Sequence, residues 1–166
     1  MKSVYWIQHA GMPKLAIVAR PRGGDWLNDD LLALKSEGVN VVVSLLTTPE
    51  EEELGLSDER RTAESMGLQF FSYPVPDREV PSDLQSFRRL ALLLADDVRS
   101  GKAVGAHCRG CIGRATVLTA TTLIELGWSA EAALSLIWEA RGCSVPDTQE
   151  QQNWIRRYAS DARKLG

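Results

Sequence analysis

AVGAHCRGCIGRATVLTA, residues 103–120, sets two cysteines, two arginines and three glycines between a short apolar run and a helical pattern. The run ending at Cys108 reads as a buried strand and the segment from about Gly113 as a helix, so residues 108–114 form the loop between them. Backbone N–H groups in such a loop can converge on an anion at the helix N-terminus, and Gly110 and Gly113 ease the curvature. Arg114 opens the helix with a planar fork that can take two oxygens of a phosphate at once. A thiol among those donors should lose its proton well below the ~8.5 of free cysteine, because N–H groups, helix dipole and guanidinium all favour the anion. The stretch predicts a phosphate cradle that carries its own nucleophile, Cys108.

Three similar runs lie upstream: LAIVA (15–19), VNVVVSLL (39–46) and LQFFSYPV (68–75). With KAVGAHC (102–108) they make four predicted strands, at least two of them buried on both faces. Helical patterns alternate with them. DWLNDDLLALKSEG puts Trp26, Leu27, Leu31 and Leu34 on one face and stops at Gly38. TPEEEE reads as a solvated helix start, with Thr48 as N-cap, Pro49 at the first helical position and Glu51 closing a capping box. SDERRTAESMG is capped by Ser57 and stopped by Gly67. SDLQSFRRLALLLADDVRSG has a Ser82/Gln85 capping box, an apolar face through Phe87, Leu90, Leu94 and Val98, and a stop at Gly101. Three more helices are expected near 113–126, 129–141 and 147–164, the last two capped by Ser129 and by Asp147 with Glu150. The alternation predicts one α/β domain spanning 1–166, with a mostly parallel central sheet flanked by helices. In such sheets ligands sit beyond the carboxyl ends of the strands, where Cys108 falls.

Composition narrows the partners. With 44% hydrophobic and 25% charged residues, 166 residues suffice for one core. A net charge of −3 and a pI near 5.5 disfavour nucleic acid or an anionic membrane as partner and leave room only for a local anion pocket. The N-terminal MKSVYWIQHAGMPK is too short an apolar stretch for a secretory leader, and no run approaches the ~20 residues of a membrane span. Three unevenly spaced cysteines make no disulfide framework, so a reducing, cytoplasmic setting is expected. No clustered His/Asp/Glu set suggests a metal, and no cofactor is expected.

His107, Cys108, five intervening residues and Arg114, with Gly113 before the arginine, reproduce the signature of the cysteine-dependent protein tyrosine phosphatase superfamily. Over roughly residues 14–155 the chain resembles its small dual-specificity branch, which includes atypical and bacterial members. The resemblance implies that Cys108 attacks phosphorus, Arg114 holds the equatorial oxygens, and the amides of Arg109, Gly110, Cys111, Ile112, Gly113 and Arg114 complete the cradle. His107 then supports the loop and the thiolate. Removing phosphate from an alcohol or phenol also needs a proton donor and, afterwards, a base for water. YPVPDREVPS offers Asp77 in a proline-bounded loop after a strand, where the family places its aspartate. In VPDTQEQQNWI the resemblance puts Gln151 on a water-positioning site and Asp147 on another, with Gln149 or Gln152 as substitutes if the loop shifts. Implied substrates are phosphorylated proteins or peptides, phosphotyrosine first, with phosphate, vanadate or sulfate as site anions.

Two positions depart from the pattern: Cys111 stands where the family usually has glycine, and Ala115 where it has serine or threonine. In the family that hydroxyl donates to the cysteine sulfur, so its absence predicts slow breakdown of the phosphoenzyme; Thr116 is one residue too late to replace it. A phosphate-binding module that turns over poorly is one alternative. The CRGC spacing admits a thiol redox protein using Cys108 and Cys111, or reversible oxidation of the phosphatase. In a loop wrapped around phosphate the Cys111 side chain is expected outward or as a small packing residue. Cys143 reads as structural. Arg109 should add positive charge at the rim, and Arg20, Arg22 or Trp26 could border the pocket.

Overall fold

Apolar runs without a polar break favour a sheet covered on both faces. The computed structural model describes residues 2–8 and 14–165. Met1, residues 9–13 and Gly166, which belong to the expected 1–166 domain and in part to the N-terminal stretch read as no leader, lie outside the described residues. Among the described residues five strands, β1 (Val4–Trp6), β2 (Leu15–Val18), β3 (Val41–Ser44), β4 (Gln69–Ser72) and β5 (Val104–His107), form one sheet in the order β1-β2-β5-β3-β4. All pairs are parallel except β1 with β2. Every residue of β2, β3 and β5 is buried.

The described residues also form seven α-helices: α1 (Leu27–Ser36), α2 (Thr48–Glu53), α3 (Glu59–Ser65), α4 (Leu84–Arg99), α5 (Arg114–Glu125), α6 (Ala130–Arg141) and α7 (Gln149–Leu165). Strand alternation sends Val41 and Val43 into a core shared with Phe87 of α4, Leu118 of α5 and Ile155 of α7. Val42 faces the other way, onto Leu31 of α1 and Ala63 of α3. Helix α5 runs through the larger core and is buried from Arg114 to Ile124. The β3–β5 register aligns Ser44 with His107, and the Leu45 N–H donates to the His107 carbonyl at 3.0 Å. The segments after the two central strands therefore meet at one end of the sheet.

The α/β architecture is as expected, and local details correct the sequence reading. Val4–Trp6 is an additional edge strand, short enough to give no periodic signal. Helix α2 is capped by Thr47, not Thr48, in a capping box closed by Glu50, not Glu51. Asp58 precedes α3, where Ser57 was expected. Asp83, not Ser82, caps α4 by accepting from the Gln85 and Ser86 N–H groups. At α7, Thr148 and Gln151 bond reciprocally side chain to backbone, displacing the expected Asp147/Glu150 pair. Trp26, expected on the buried face of α1, is 55% exposed under the Arg22 guanidinium, while Leu27, Leu31 and Leu34 are buried. Among the described residues no helix is long and apolar enough to cross a membrane.

Candidate active site

Cys108 follows the last residue of β5 and is 2% exposed. Residues 108–113 curl without regular structure into Gly113, the N-cap of α5. Cys111 carries the turn at φ 57, a left-handed conformation unusual for a side-chain-bearing residue. That backbone brings its Cβ inward: Cys111 is 5% exposed, and its thiol donates to the Val18 carbonyl at 3.0 Å and lies 3.9 Å from the Cys108 carbonyl. The outward orientation expected for Cys111 is thus corrected, and the packing role holds, since it belongs to the larger core. The Cys108 thiol is lowered to about 6, first by a hydrogen bond from the Cys111 side chain, against burial, with further help from the Ala115 N–H and the Arg114 charge. All three cysteines are free thiols.

Arg114, the first residue of α5, is 2% exposed, and nearly all of its donors are engaged. Nη1 donates to Glu50 at 2.7 Å and to the Val75 carbonyl at 2.7 Å; Nη2 donates to Glu50 at 2.9 Å and to Asp77 at 3.1 Å. Its Nε is buried with no partner among the described residues. Glu50, expected as part of a solvated helix start, instead grips the far edge of this fork, and the guanidinium holds its carboxyl down to about 2. The Asp77 carboxylate is 55% exposed, on the opposite side of the interaction from the 1% exposed Arg114 side chain.

His107 is fully buried, with Nε2 2.6 Å from a Glu59 oxygen that is itself fully buried. Burial opposes its charge, yet the Glu59 carboxylate outweighs burial and raises the imidazole above its ordinary value, and the Cys108 charge adds to this. Gln151, fully buried, donates from Nε2 to the Glu79 carbonyl at 3.2 Å. It lies against the cradle: a Cβ on Gly113 would stand 2.8 and 2.9 Å from its amide atoms and 3.0 Å from the Asp147 Cβ. The Asp147 carboxylate is occupied by Arg78 at 2.9 Å, which ties the Asp77 loop to the segment before α7. Gln149, by contrast, bonds Gln152 and Asn153 along the outer surface of α7.

Other candidates lie apart. Arg109 is half-buried and paired with Glu53 at 3.1 Å, so its expected positive charge at the rim is largely neutralised. Arg22 pairs with Asp30, and Arg20 lines a separate cavity of about 370 Å³ with Lys2 and Ser3. The Thr116 hydroxyl is buried without a partner among the described residues, in keeping with its being a residue too late. Among the described residues no group of three or more His, Cys, Asp or Glu side chains could hold a metal. Sequence reasoning missed Glu50 and Glu59 as site residues. The Glu50 capping box was visible one position out of register; Glu59 carried no signal, since its partner His107 lies 48 residues away in the chain.

Residues 16–128 match the family described as polymorphic toxin system, DSP-PTPase phosphatase. The chain is 29% identical over 163 residues to the PRL-1 phosphatase of Drosophila melanogaster, covering 95% of this chain and 83% of that protein. It is 32% identical over 102 residues to the protein tyrosine phosphatase PRL-1 of Leishmania major, 57% of each. Its fold matches that of a kinase associated phosphatase whose catalytic-site cysteine is substituted by serine, with a TM-score of 0.84, 18% identity and coverage of 98% and 97%. Tk-PTP in its active form gives a TM-score of 0.77 at 24% identity over 95% and 97% of the two chains. The chain belongs to the DSP-PTPase family and is a phosphatase of the protein tyrosine phosphatase type.

Proposed function

We propose that residues 1–166 form a single catalytic domain that hydrolyses phosphomonoesters through a cysteinyl phosphate on Cys108. The supporting observation is the Arg114 guanidinium, whose inner edge is fixed by Glu50 and Val75 while Nε has no partner among the described residues. An entering phosphoryl group takes Nε–H together with the Nη2–H now given to Asp77, and the amides of residues 109–114 take its remaining charge. Losing that bond frees Asp77 for the leaving oxygen. The Cys108 thiolate attacks phosphorus as the P–O bond to the leaving group breaks, and protonated Asp77 gives that oxygen its proton. In the second step Asp77 takes a proton from a water held by Gln151, the water oxygen attacks phosphorus, and Cys108 departs as thiolate with release of phosphate. His107, charged by Glu59, supports the thiolate from behind.

The substrate class is a phosphorylated protein or lipid headgroup, with phosphotyrosine first and phosphoserine or phosphothreonine also admitted; vanadate and sulfate compete as anions. Free thiols and the absence of a crossing helix among the described residues fit a cytoplasmic setting. The test is hydrolysis of p-nitrophenyl phosphate with EDTA present, wild type beside Cys108→Ser, with intact mass after rapid acid quench. Activity lost in the variant and a phosphate adduct on the wild type are expected. Vanadate binding without hydrolysis would replace this reading by the binding module motivated by Ala115, and neither signal would return the CRGC pair to redox chemistry.

A further inference from the structure

We propose that the cavity walled by Arg20, Lys2 and Ser3 is a second anion site, separate from the cradle, that takes a phosphomonoester carried on a small apolar body. Arg20 follows the end of β2 by two residues, and β2 pairs in parallel with β5, so the cavity lies at the end of the sheet where Cys108 stands. Backbone links the two sites: the Val18 carbonyl, two residues before Arg20, accepts from the Cys111 thiol at 3.0 Å.

Arg20 is half-buried, and its guanidinium has no ion pair or hydrogen bond among the described residues. Its Nε is buried, so that N–H has lost solvent and gained no acceptor from the fold, a costly state for a cationic donor. Among the described residues Asp30 is the one carboxylate lining the cavity, and Arg22 consumes it. The Arg22 backbone N–H donates to it at 2.8 Å, Nε at 3.0 Å and Nη2 at 2.8 Å. Lys2, whose ammonium stands 5.2 Å from the Tyr5 ring centre, and Arg20 therefore face the cavity without a counterion among the described residues. Two such charges match a phosphate dianion, and the Ser3 hydroxyl adds a neutral donor.

The frame around Arg20 is fixed in advance. The Ala19 N–H donates to the Ser3 carbonyl at 2.7 Å and the Gly24 N–H to the Gly55 carbonyl at 3.3 Å, while a Cβ on Gly23 would overlap the Leu54 carbonyl oxygen. Binding then costs little ordering of the chain. The rest of the wall is apolar, with buried Pro21 and Leu34 beside Ala33. A volume of about 370 Å³ suits a ligand the size of a phosphotyrosine side chain rather than a lone ion. That chemistry has two sources: a free phosphomonoester, or a second phosphorylated residue of a peptide whose first occupies the cradle. The peptide source rests on the reaction proposed above.

The probe is phenyl phosphate, titrated into the isotope-labelled full chain carrying Cys108→Ser, with backbone amide shifts read by NMR. Two groups of amides should move, those of residues 109–115 in the cradle and those of Ser3, Ala19 and Arg20 at the cavity. Adding Arg20→Gln should weaken the second response about tenfold or more and leave the first. Lys2→Glu, at an exposed position, should weaken it as well and decides alone if Arg20→Gln fails to fold. Cavity amides that stay still, that respond equally in these variants, or that move as far with sodium chloride at matched ionic strength overturn the inference. Arg20→Gln and the wild chain are then compared on peptides bearing one phosphotyrosine or two, a few residues apart. A fall in kcat/KM of about tenfold confined to the doubly phosphorylated peptides assigns the ligand to the substrate. No fall with either assigns it to a free phosphomonoester, and an equal fall with both makes Arg20 part of the cradle and overturns the separate site. A wild chain that hydrolyses no peptide overturns the phosphatase reading, while the amide shifts still decide the cavity.

Discussion

Three cationic side chains surround Cys108, and each meets a carboxylate from the single connection between β3 and β4: His107 with Glu59, Arg109 with Glu53 and Arg114 with Glu50. Burial makes these pairs unequal. Removing one partner of a fully buried pair leaves the other charge without compensation, so Glu59→Ala should cost about 3 to 5 kcal/mol of stability. Glu53→Ala, which breaks an exposed pair, should leave the urea midpoint unchanged within error. Glu50 adds a pH signature. Its carboxyl falls from an ordinary 4.5 to about 2 in the folded chain, so its stabilising contribution is present above 4.5 and is lost as pH falls toward 2. Glu50→Gln should flatten that part of the stability-against-pH curve, measured by urea denaturation between about pH 2 and 6. That Cys108, Arg114 and Asp77 gather at one end of the sheet was legible, because the first two share one strand-to-helix loop and Asp77 lies in a proline-bounded loop after a strand. Their carboxylate partners were not, because a tertiary ion pair leaves no local periodicity.

At the level of elements, the cradle is closed from behind by the start of α7. Gly113→Ala would drive a methyl group into the buried Gln151 amide and the Asp147 Cβ. Cys108 keeps its donors in that variant, so phosphoenzyme should still form while hydrolysis slows. Rapid quench should show an undiminished burst and a kcat lower by about tenfold or more. An equal loss in both steps would remove Gln151 from the water-positioning role. Helices were readable from caps and apolar faces, yet Thr47, Asp83 and Thr148 each stand one residue from the cap expected, because neighbouring Ser, Thr and Asp residues compete for the same N–H groups. Asp147 lost its cap role to a partner 69 residues away, Arg78, whose own φ of 65 turns it toward α7. No pattern within either segment announces that meeting.

Across the whole molecule, the strand–helix alternation was enough to give a two-faced parallel sheet and to put the loop after β5 at its functional end. It could not show that the connection between β3 and β4, read as a solvated helix start followed by a second helix, runs beside that loop; only the alignment of Ser44 with His107 does so. This placement has a consequence for how an anion reaches the site. Its positive groups already have fixed counterions within the fold, so the pocket projects little field into solvent, and attraction begins only at hydrogen-bonding range. Encounter then owes little to steering, which ionic strength would screen over about 10 Å at 0.1 M salt. Between low and high salt kcat/KM for a phosphopeptide should change by less than about twofold, whereas Glu53→Ala, which leaves Arg109 only a 4.0 Å contact with Glu50, should introduce a visible salt dependence.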